Sequence, residues 1–172
     1  VGKSYVINLS DEKDEDGEQN IGSHWVALHI GKLDGKICPM YFDSYGVGPP
    51  EDIKNIVEKR FKKKINFTTK NVQSIVTDAC GWFCMAWLHF INKFYNRTGN
   101  ILVDSALFLD LFEDLDKSTD WKKNEFILKL FFQEPGQKAK GMDKIFKDMT
   151  PDDITKNDDK ITIPIEDVDL RK

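Results

Sequence analysis

The hydrophobic and polar positions of the chain predict strands near its beginning and helices after residue 50. Residues 4–9, 23–30 and 37–45 are rich in β-branched and aromatic residues, and the second and third segments are apolar on both faces. Turn residues at 31–36 join those two segments into a predicted hairpin, and residues 65–69 predict a further strand. Because a sheet that is apolar on both faces needs cover on both sides, we expect helices against each face.

Apolar residues recur at helical spacing in four later segments. These predicted helices lie at residues 53–61, 80–91, 108–115 and 121–132. The second is apolar nearly all round, which is typical of a central helix buried inside a domain. The last follows Ser118, Thr119 and Asp120, one of which we expect to cap it. Together the pattern predicts an α+β fold with a central mixed β-sheet flanked by helices.

Length and composition indicate one compact unit with a charged end. We expect a core at residues 1–133 and a charged C-terminal extension at 134–172 that wraps loosely or is partly disordered. Residues 11–20 are acidic and are expected to form a mobile loop. The first residue is Val1, so we expect a processed form or an excerpt of something longer.

Charge and cysteine usage exclude several classes of protein. There are 25 Lys and Arg against 29 Asp and Glu, and this net charge of −4 argues against general nucleic-acid binding. The basic stretch at 59–64 is more typical of a solvated helix end. Three cysteines do not describe a disulfide framework and favour a reducing compartment. No apolar run could span a bilayer and no signal peptide opens the chain, so we expect no membrane partner.

The predicted hairpin brings His24 and Asp43 to one face of the sheet. A turn centred between Leu33 and Asp34 places the two residues directly opposite each other, and a two-residue Asp34-Gly35 turn makes them diagonal neighbours. Opposed Cβ atoms lie about 5 Å apart and diagonal ones about 7 Å, so the carboxylate meets the imidazole in either register. We expect Asp43 to accept a hydrogen bond from Nδ1–H of His24 and so to fix its tautomer.

Cys80 is the candidate nucleophile, because it stands at the predicted start of the second helix. The positive end of the helix macrodipole favours thiolate there, and Gly81 leaves room for a substrate backbone. With His24 and Asp43 it forms a set typical of nucleophilic catalysis. Gln73, seven residues before Cys80, is the candidate donor to the oxyanion.

Each of these residues also has a structural interpretation. A lone cysteine is more often an inert core residue, and His24 could bond a backbone carbonyl. Asp43 could simply start a turn, and Gln73 could be an ordinary polar loop residue. A zinc site from Cys80, Cys84 and His24 is a further alternative, but Cys-x3-Cys is not the usual zinc spacing. We expect no metal and no cofactor.

The candidate residues, in this order, resemble the adenain-like cysteine proteases, viral maturation enzymes in the same clan as the SUMO proteases. The segments that carry the resemblance are His24-Trp25, Phe42-Asp43-Ser44-Tyr45-Gly46, Gln73 and Ala79-Cys80-Gly81-Trp82-Phe83-Cys84. The resemblance covers residues 4 to 95. It differs from papain, in which the cysteine comes first along the chain.

By this resemblance, Cys80 is the nucleophile, His24 the general base and acid, and Asp43 the residue that orients His24. Gln73 and the backbone N–H of Cys80 form the oxyanion hole. These roles come from the family, and the residues themselves are read from this sequence.

The family also implies a substrate class. Its members generally cut after glycine, because a narrow channel between aromatic residues excludes side chains, and Trp25 and Trp82 could wall such a channel here. An aromatic core anchor is the alternative interpretation of Trp25. The implied function is a viral cysteine endopeptidase that cleaves capsid and virion precursor proteins. It would act in the virion and in the cytoplasm or viral factory of the infected host cell.

Three features of this chain depart from the pattern of adenain. Adenain has a substantial segment before its histidine and uses Glu where this chain has Asp43, as the SUMO proteases do. Adenain is also basic and is activated by DNA and a short viral peptide. The net charge of −4 gives little support to DNA activation. Adenain tethers its activating peptide through a cysteine, and Cys38 is not a convincing match for that residue, so the resemblance does not decide whether a peptide activates this chain. The alternatives are an isopeptidase for a ubiquitin-like protein, an acetyltransferase and a non-enzymatic binding module with a degenerate site.

Overall fold

A computed structural model describes residues 2–10 and 24–132 of the chain. The predicted acidic loop at 11–20 and the predicted extension at 134–172 both lie outside the described residues. Within the described part, no helix has both the length and the apolar character needed to cross a membrane.

Four strands form one mixed sheet whose spatial order follows the chain. The strands are β1 (Lys3–Asn8), β2 (Trp25–Leu33), β3 (Lys36–Phe42) and β4 (Asn66–Phe67). The first three are antiparallel to one another, and β4 runs parallel to β3. The helices are α1 (Glu51–Phe61), α2 (Cys80–Thr98), α3 (Ile101–Asp110) and α4 (Trp121–Leu130). The predicted α+β class with a mixed sheet is therefore confirmed.

The hairpin between β2 and β3 closes through the two-residue turn Asp34-Gly35. Both residues have positive φ, 50° and 77°, as a tight hairpin turn requires. Leu33 pairs with Lys36, so β2 continues beyond residue 30, where the sequence pattern placed its end. This register makes His24 and Asp43 diagonal neighbours, which is one of the two arrangements expected.

Both faces of the sheet are covered, as the two-sided apolar strands predicted. Along β2, alternate residues point to opposite sides. On one side, Val26, Leu28 and Ile30 of β2 and Tyr41 of β3 pack against Val57 of α1. The other packs Ala27, Met40 and Phe42 with residues of α2, α3 and α4. His29 lies on this second side, where it is buried and its Nδ1 forms a hydrogen bond with Ser4 Oγ at 2.9 Å. It therefore does not pair with Asp43 as His24 does.

Over residues 80–93, α2 is buried except for one exposed stripe, so the expectation that its apolar surface would be covered all round is wrong. Phe83, Cys84 and Trp87 are buried, whereas Trp82 is 58% exposed and Met85 is 51% exposed. The reason is packing geometry, because α2 contacts β2 on one side and α3 on another and its remaining stripe faces solvent. Apolar composition alone did not show that this stripe is left uncovered.

The third helix begins earlier than its sequence pattern predicted. Asn100 caps α3 at its start, because its side chain accepts hydrogen bonds from the N–H groups of Leu102 and Val103. The helix then ends at Asp110, so much of the predicted span at 108–115 lies after it. For α4, Asp120 is the cap among the three candidates, accepting from Lys123 N–H.

Candidate active site

Asp43 lies in a tight turn that follows β3 directly. Gly46 N–H donates to the Asp43 carbonyl at 3.0 Å, and Asp43 Oδ1 accepts from Tyr45 N–H at 2.8 Å. Gly46 has φ +72°, and a Cβ there would lie 2.4 Å from the Thr69 carbonyl oxygen. Only glycine therefore fits at the point where this turn meets the neighbouring loop. The result is a buried carboxylate with one oxygen fixed by backbone and the other free to bind a side chain.

That second oxygen holds His24, which stands just before β2. Nε2 of His24 and Oδ2 of Asp43 lie 3.0 Å apart, and the His24 ring packs against Tyr45 with 4.9 Å between ring centroids. Because a carboxylate only accepts, Nε2 carries the proton in this bond. The prediction that Nδ1 of His24 faces Asp43 is therefore wrong, because the ring presents Nε2 to the carboxylate. Nδ1 is buried and has no hydrogen-bond partner among the described residues.

Cys80 is the first residue of α2, where the Ala79 carbonyl accepts the N–H of Phe83 at 3.0 Å. Two contacts pack this end of the helix against Trp25, the neighbour of His24. The Cys84 thiol donates to the Trp25 carbonyl at 3.3 Å, and a Cβ built on Gly81 would lie 3.8 Å from the Trp25 ring. The Cys80 thiol is itself mostly buried, and it makes no hydrogen bond to Nδ1 of His24. In cysteine and serine hydrolases, the bond between nucleophile and base is often long before substrate binds.

The other two cysteines are held as thiols. Burial, reinforced by the charges of Cys80 and Asp43, raises the pKa of the Cys84 thiol well above its usual range. Burial raises the pKa of Cys38 to about 11. Residues 2–10 and 24–132 contain no group of three or more His, Cys, Asp or Glu side chains arranged to hold a metal ion.

Gln73 is fully buried beside the Asp43 turn. Its backbone N–H and that of Val72 both donate to the Ser44 carbonyl, and its Oε1 accepts from Ser44 Oγ at 2.7 Å. Its Nε2 donates to the Thr77 carbonyl at 2.6 Å and to Tyr45 Oη at 3.2 Å. The structure thus links Gln73 to His24 through Tyr45, which contacts both residues. Its amide hydrogens, however, are already bonded.

Ser44 and Tyr45 are two site residues that the sequence analysis quoted only as part of a motif. Ser44 holds Gln73 through backbone and side chain, and Tyr45 touches both His24 and Gln73. Their position directly after Asp43 could have indicated such a role. Consecutive residues of a tight turn point in different directions, so the neighbours of Asp43 can contact other groups around the same turn.

A cleft of about 560 Å³ opens beside this network. Its lining residues include Tyr45, Gln73, Ile75, Leu115 and Trp121. Trp25 and Trp82 both have exposed surface, 36% and 58%, so Trp25 is not the buried core anchor that was its alternative interpretation. The Trp82 ring packs against Phe132, with centroids 4.9 Å apart.

The sequence matches no protein-family model and no curated protein. The case for a function therefore depends on the geometry of the site.

Proposed function

We propose that the chain is a cysteine endopeptidase of the adenain-like type, in which Cys80 is the nucleophile. The observation that carries the proposal is the state of His24. Nε2 is held by Asp43 at 3.0 Å, while Nδ1 is buried without a hydrogen-bond partner among the described residues. The next residue, Trp25, packs against the first turn of α2, which begins at Cys80. A buried ring nitrogen without a hydrogen bond is costly unless a ligand or reacting group uses it. A thiol proton meets that need.

The proposed reaction has two halves, acylation of Cys80 and hydrolysis of the resulting thioester, and His24 transfers protons in both. His24 Nδ1 takes the Cys80 proton, and the thiolate attacks the carbonyl carbon, moving an electron pair onto the carbonyl oxygen. As that pair returns, the C–N bond breaks and the leaving amine takes the proton from Nδ1, which leaves a thioester on Cys80. Water, deprotonated by Nδ1, then hydrolyses the thioester and restores the thiol. Asp43 stabilises the imidazolium in both halves through Nε2–H.

The first turn of α2 assists the thiolate. The methyl side chain of Ala79, which precedes the helix, has no atom that could accept a hydrogen bond from this turn. The turn also contains no acidic residue. Its free N–H groups present partial positive charge to the Cys80 sulfur and to the developing oxyanion. The backbone N–H of Cys80 serves as one oxyanion donor.

The substrate is proposed to be an extended segment with glycine at the cleavage site. Support comes from the first turn of α2, where Gly81 and the Trp25 ring meet and the exposed Trp82 follows. Viral capsid and virion precursors, in the virion and infected cell, are the substrates that the resemblance to adenain-like enzymes favours. A viral peptide is the activator that this proposal retains, and the net charge of −4 gives little support to DNA activation.

An isopeptidase for a ubiquitin-like protein is the second candidate. Ile75 and Val76, on the loop between Gln73 and Cys80, are 89% and 73% exposed. Large exposed apolar side chains next to a reaction centre are typical of a surface that docks a folded protein.

The test is cleavage of two substrate sets by the full chain, read by mass spectrometry. One set is a peptide library that includes Gly-Gly and Gly-x-Gly sites, and the other is a set of ubiquitin-like fusions. We expect cleavage after glycine in the peptide library, none by Cys80→Ala, and most activity retained by Cys84→Ala, the matched thiol control one helical turn away. Cleavage of fusions alone would favour the isopeptidase. Undiminished cleavage by Cys80→Ala, or none by the wild type on either set, would refute the proposal.

A further inference from the structure

The hydrogen bonds of Gln73 leave it nothing to donate to a substrate. A primary amide has two N–H donors. In this structure one is bonded to the Thr77 carbonyl at 2.6 Å and the other to Tyr45 Oη at 3.2 Å. Oε1 accepts from Ser44 Oγ at 2.7 Å, and the amide cannot exchange its two ends, because Oε1 would then face the Thr77 carbonyl, which can only accept a hydrogen bond. The side chain implied to be the oxyanion donor is thus fully engaged inside the protein.

The hydroxyl of Tyr45 is in the opposite situation. It accepts the hydrogen bond from Gln73, so its own hydrogen is directed away from that amide. The residue is held at three points: its N–H bonds Asp43 Oδ1, its ring packs on His24, and its oxygen bonds Gln73. Tyr45 also lines the cleft of about 560 Å³ together with Gln73. A fixed donor is thereby presented at the edge of the cleft, next to the catalytic histidine.

Electrostatics keep this donor protonated. Burial first, and then the negative charges of Cys80, Asp43 and Asp78, raise the pKa of the Tyr45 hydroxyl. A phenol that keeps its proton at neutral pH and packs against His24 is suited to donate to negative charge that develops at this site.

We propose that the Tyr45 hydroxyl is a catalytic oxyanion donor and that Gln73 is the positioning residue that aims and polarises it. The inference rests on the proposed protease function. When the Cys80 thiolate attacks, the electron pair that moves onto the carbonyl oxygen is met by Tyr45 O–H and by the Cys80 N–H. No proton is transferred in this contact. The bond from Gln73 strengthens the phenol as a donor, since hydrogen bonds in a chain polarise one another.

The primary test is Tyr45→Phe, which removes the hydroxyl and keeps the ring against His24. We expect kcat on the best glycine peptide to fall by about 10²-fold, with KM and melting temperature almost unchanged, because the donor acts on charge absent from the ground state. Tyr41→Phe is the matched control. The Tyr41 hydroxyl is buried without a hydrogen-bond partner in the described part of the chain, so its removal should leave kcat unchanged.

The double variant Tyr45→Phe/Gln73→Ala separates the donor from the residue that positions it. If Gln73 acts through Tyr45, the double variant loses no more rate than the worse single variant. A peptide aldehyde provides a second measurement, because its thiohemiacetal on Cys80 carries an oxygen at the oxyanion position. We expect Tyr45→Phe to weaken aldehyde binding by about the same factor as kcat.

Two results would overturn the inference while leaving the protease proposal intact. One is a Tyr45→Phe enzyme with kcat within about threefold of the wild type while Cys80→Ala is inactive. The other is multiplicative loss in the double variant, which would return the donor role to Gln73. Activity retained by Cys80→Ala would instead refute the proposed function itself.

Discussion

Replacing Asp43 by Asn would show how the carboxylate controls His24. In the wild type, Oδ2 binds His24 Nε2 at 3.0 Å and Oδ1 accepts from Tyr45 N–H at 2.8 Å. Asn has the same size but only one acceptor oxygen. We expect that oxygen to keep the Tyr45 bond, because the other rotamer would set NH2 against N–H. The NH2 group then faces Nε2, which must become the acceptor, so the proton moves to Nδ1 and the Cys80 proton cannot be taken there.

The size of the loss follows from the cost of restoring the active tautomer. Rotating the amide leaves the Tyr45 N–H unpaired, at about 1–3 kcal/mol, and the missing charge beside the imidazolium costs about 2 kcal/mol more. Together these amount to about 3–5 kcal/mol. Because 1.36 kcal/mol corresponds to a tenfold change in rate, we expect kcat/KM to fall by about 10² to 5 × 10³.

The assay is kcat/KM on the best peptide, together with the ¹⁵N shifts of His24, which report its tautomer. Asp78→Asn is the matched control, because Asp78 is an exposed residue just before Cys80 and its replacement removes the same charge. We also expect Asp43→Glu to keep more rate than Asn but to lose about 1–3 kcal/mol of stability by overpacking a buried site. An Asn variant within about fivefold of the wild type, or an equal loss for Asp78→Asn, would refute the reasoning.

Three further predictions follow from the same geometry. Iodoacetamide at pH 7 should alkylate Cys80 first, since a pKa of about 11 leaves about one Cys38 in 10⁴ as thiolate; mass spectrometry showing Cys38 labelled at an equal rate would contradict this. Gly46→Ala should lower the free energy of unfolding, measured by chemical denaturation, by about 3 kcal/mol or more, because the added Cβ meets the Thr69 carbonyl. Gly35→Ala has the same sign of φ but open space around it, so it should lower that free energy by about 1 kcal/mol. Equal losses in the two variants would show that the contact between the new Cβ and Thr69 adds no strain. Gly81→Ala should raise stability by about 0.5 kcal/mol and lower kcat/KM on glycine peptides; unchanged activity would place the substrate backbone elsewhere.

Local sequence patterns determined the secondary structure and part of the site. The alternating direction of side chains along paired strands was enough to place His24 and Asp43 on one face, because both turns that the sequence allows give the same face. The start of α2 at Cys80 was also predictable. These features depend on interactions between residues that are near in sequence or paired across a single hairpin.

Only the tertiary structure decided which atoms meet. The exposed stripe of α2 depends on where α3 packs, and the choice of Nε2 by Asp43 depends on how the His24 ring enters the turn. The bonds of Gln73 to Ser44 and Tyr45 join residues that are 29 and 28 positions apart in the chain. No periodicity or propensity records such contacts, because they form only when separate elements pack together and the buried polar groups must find partners.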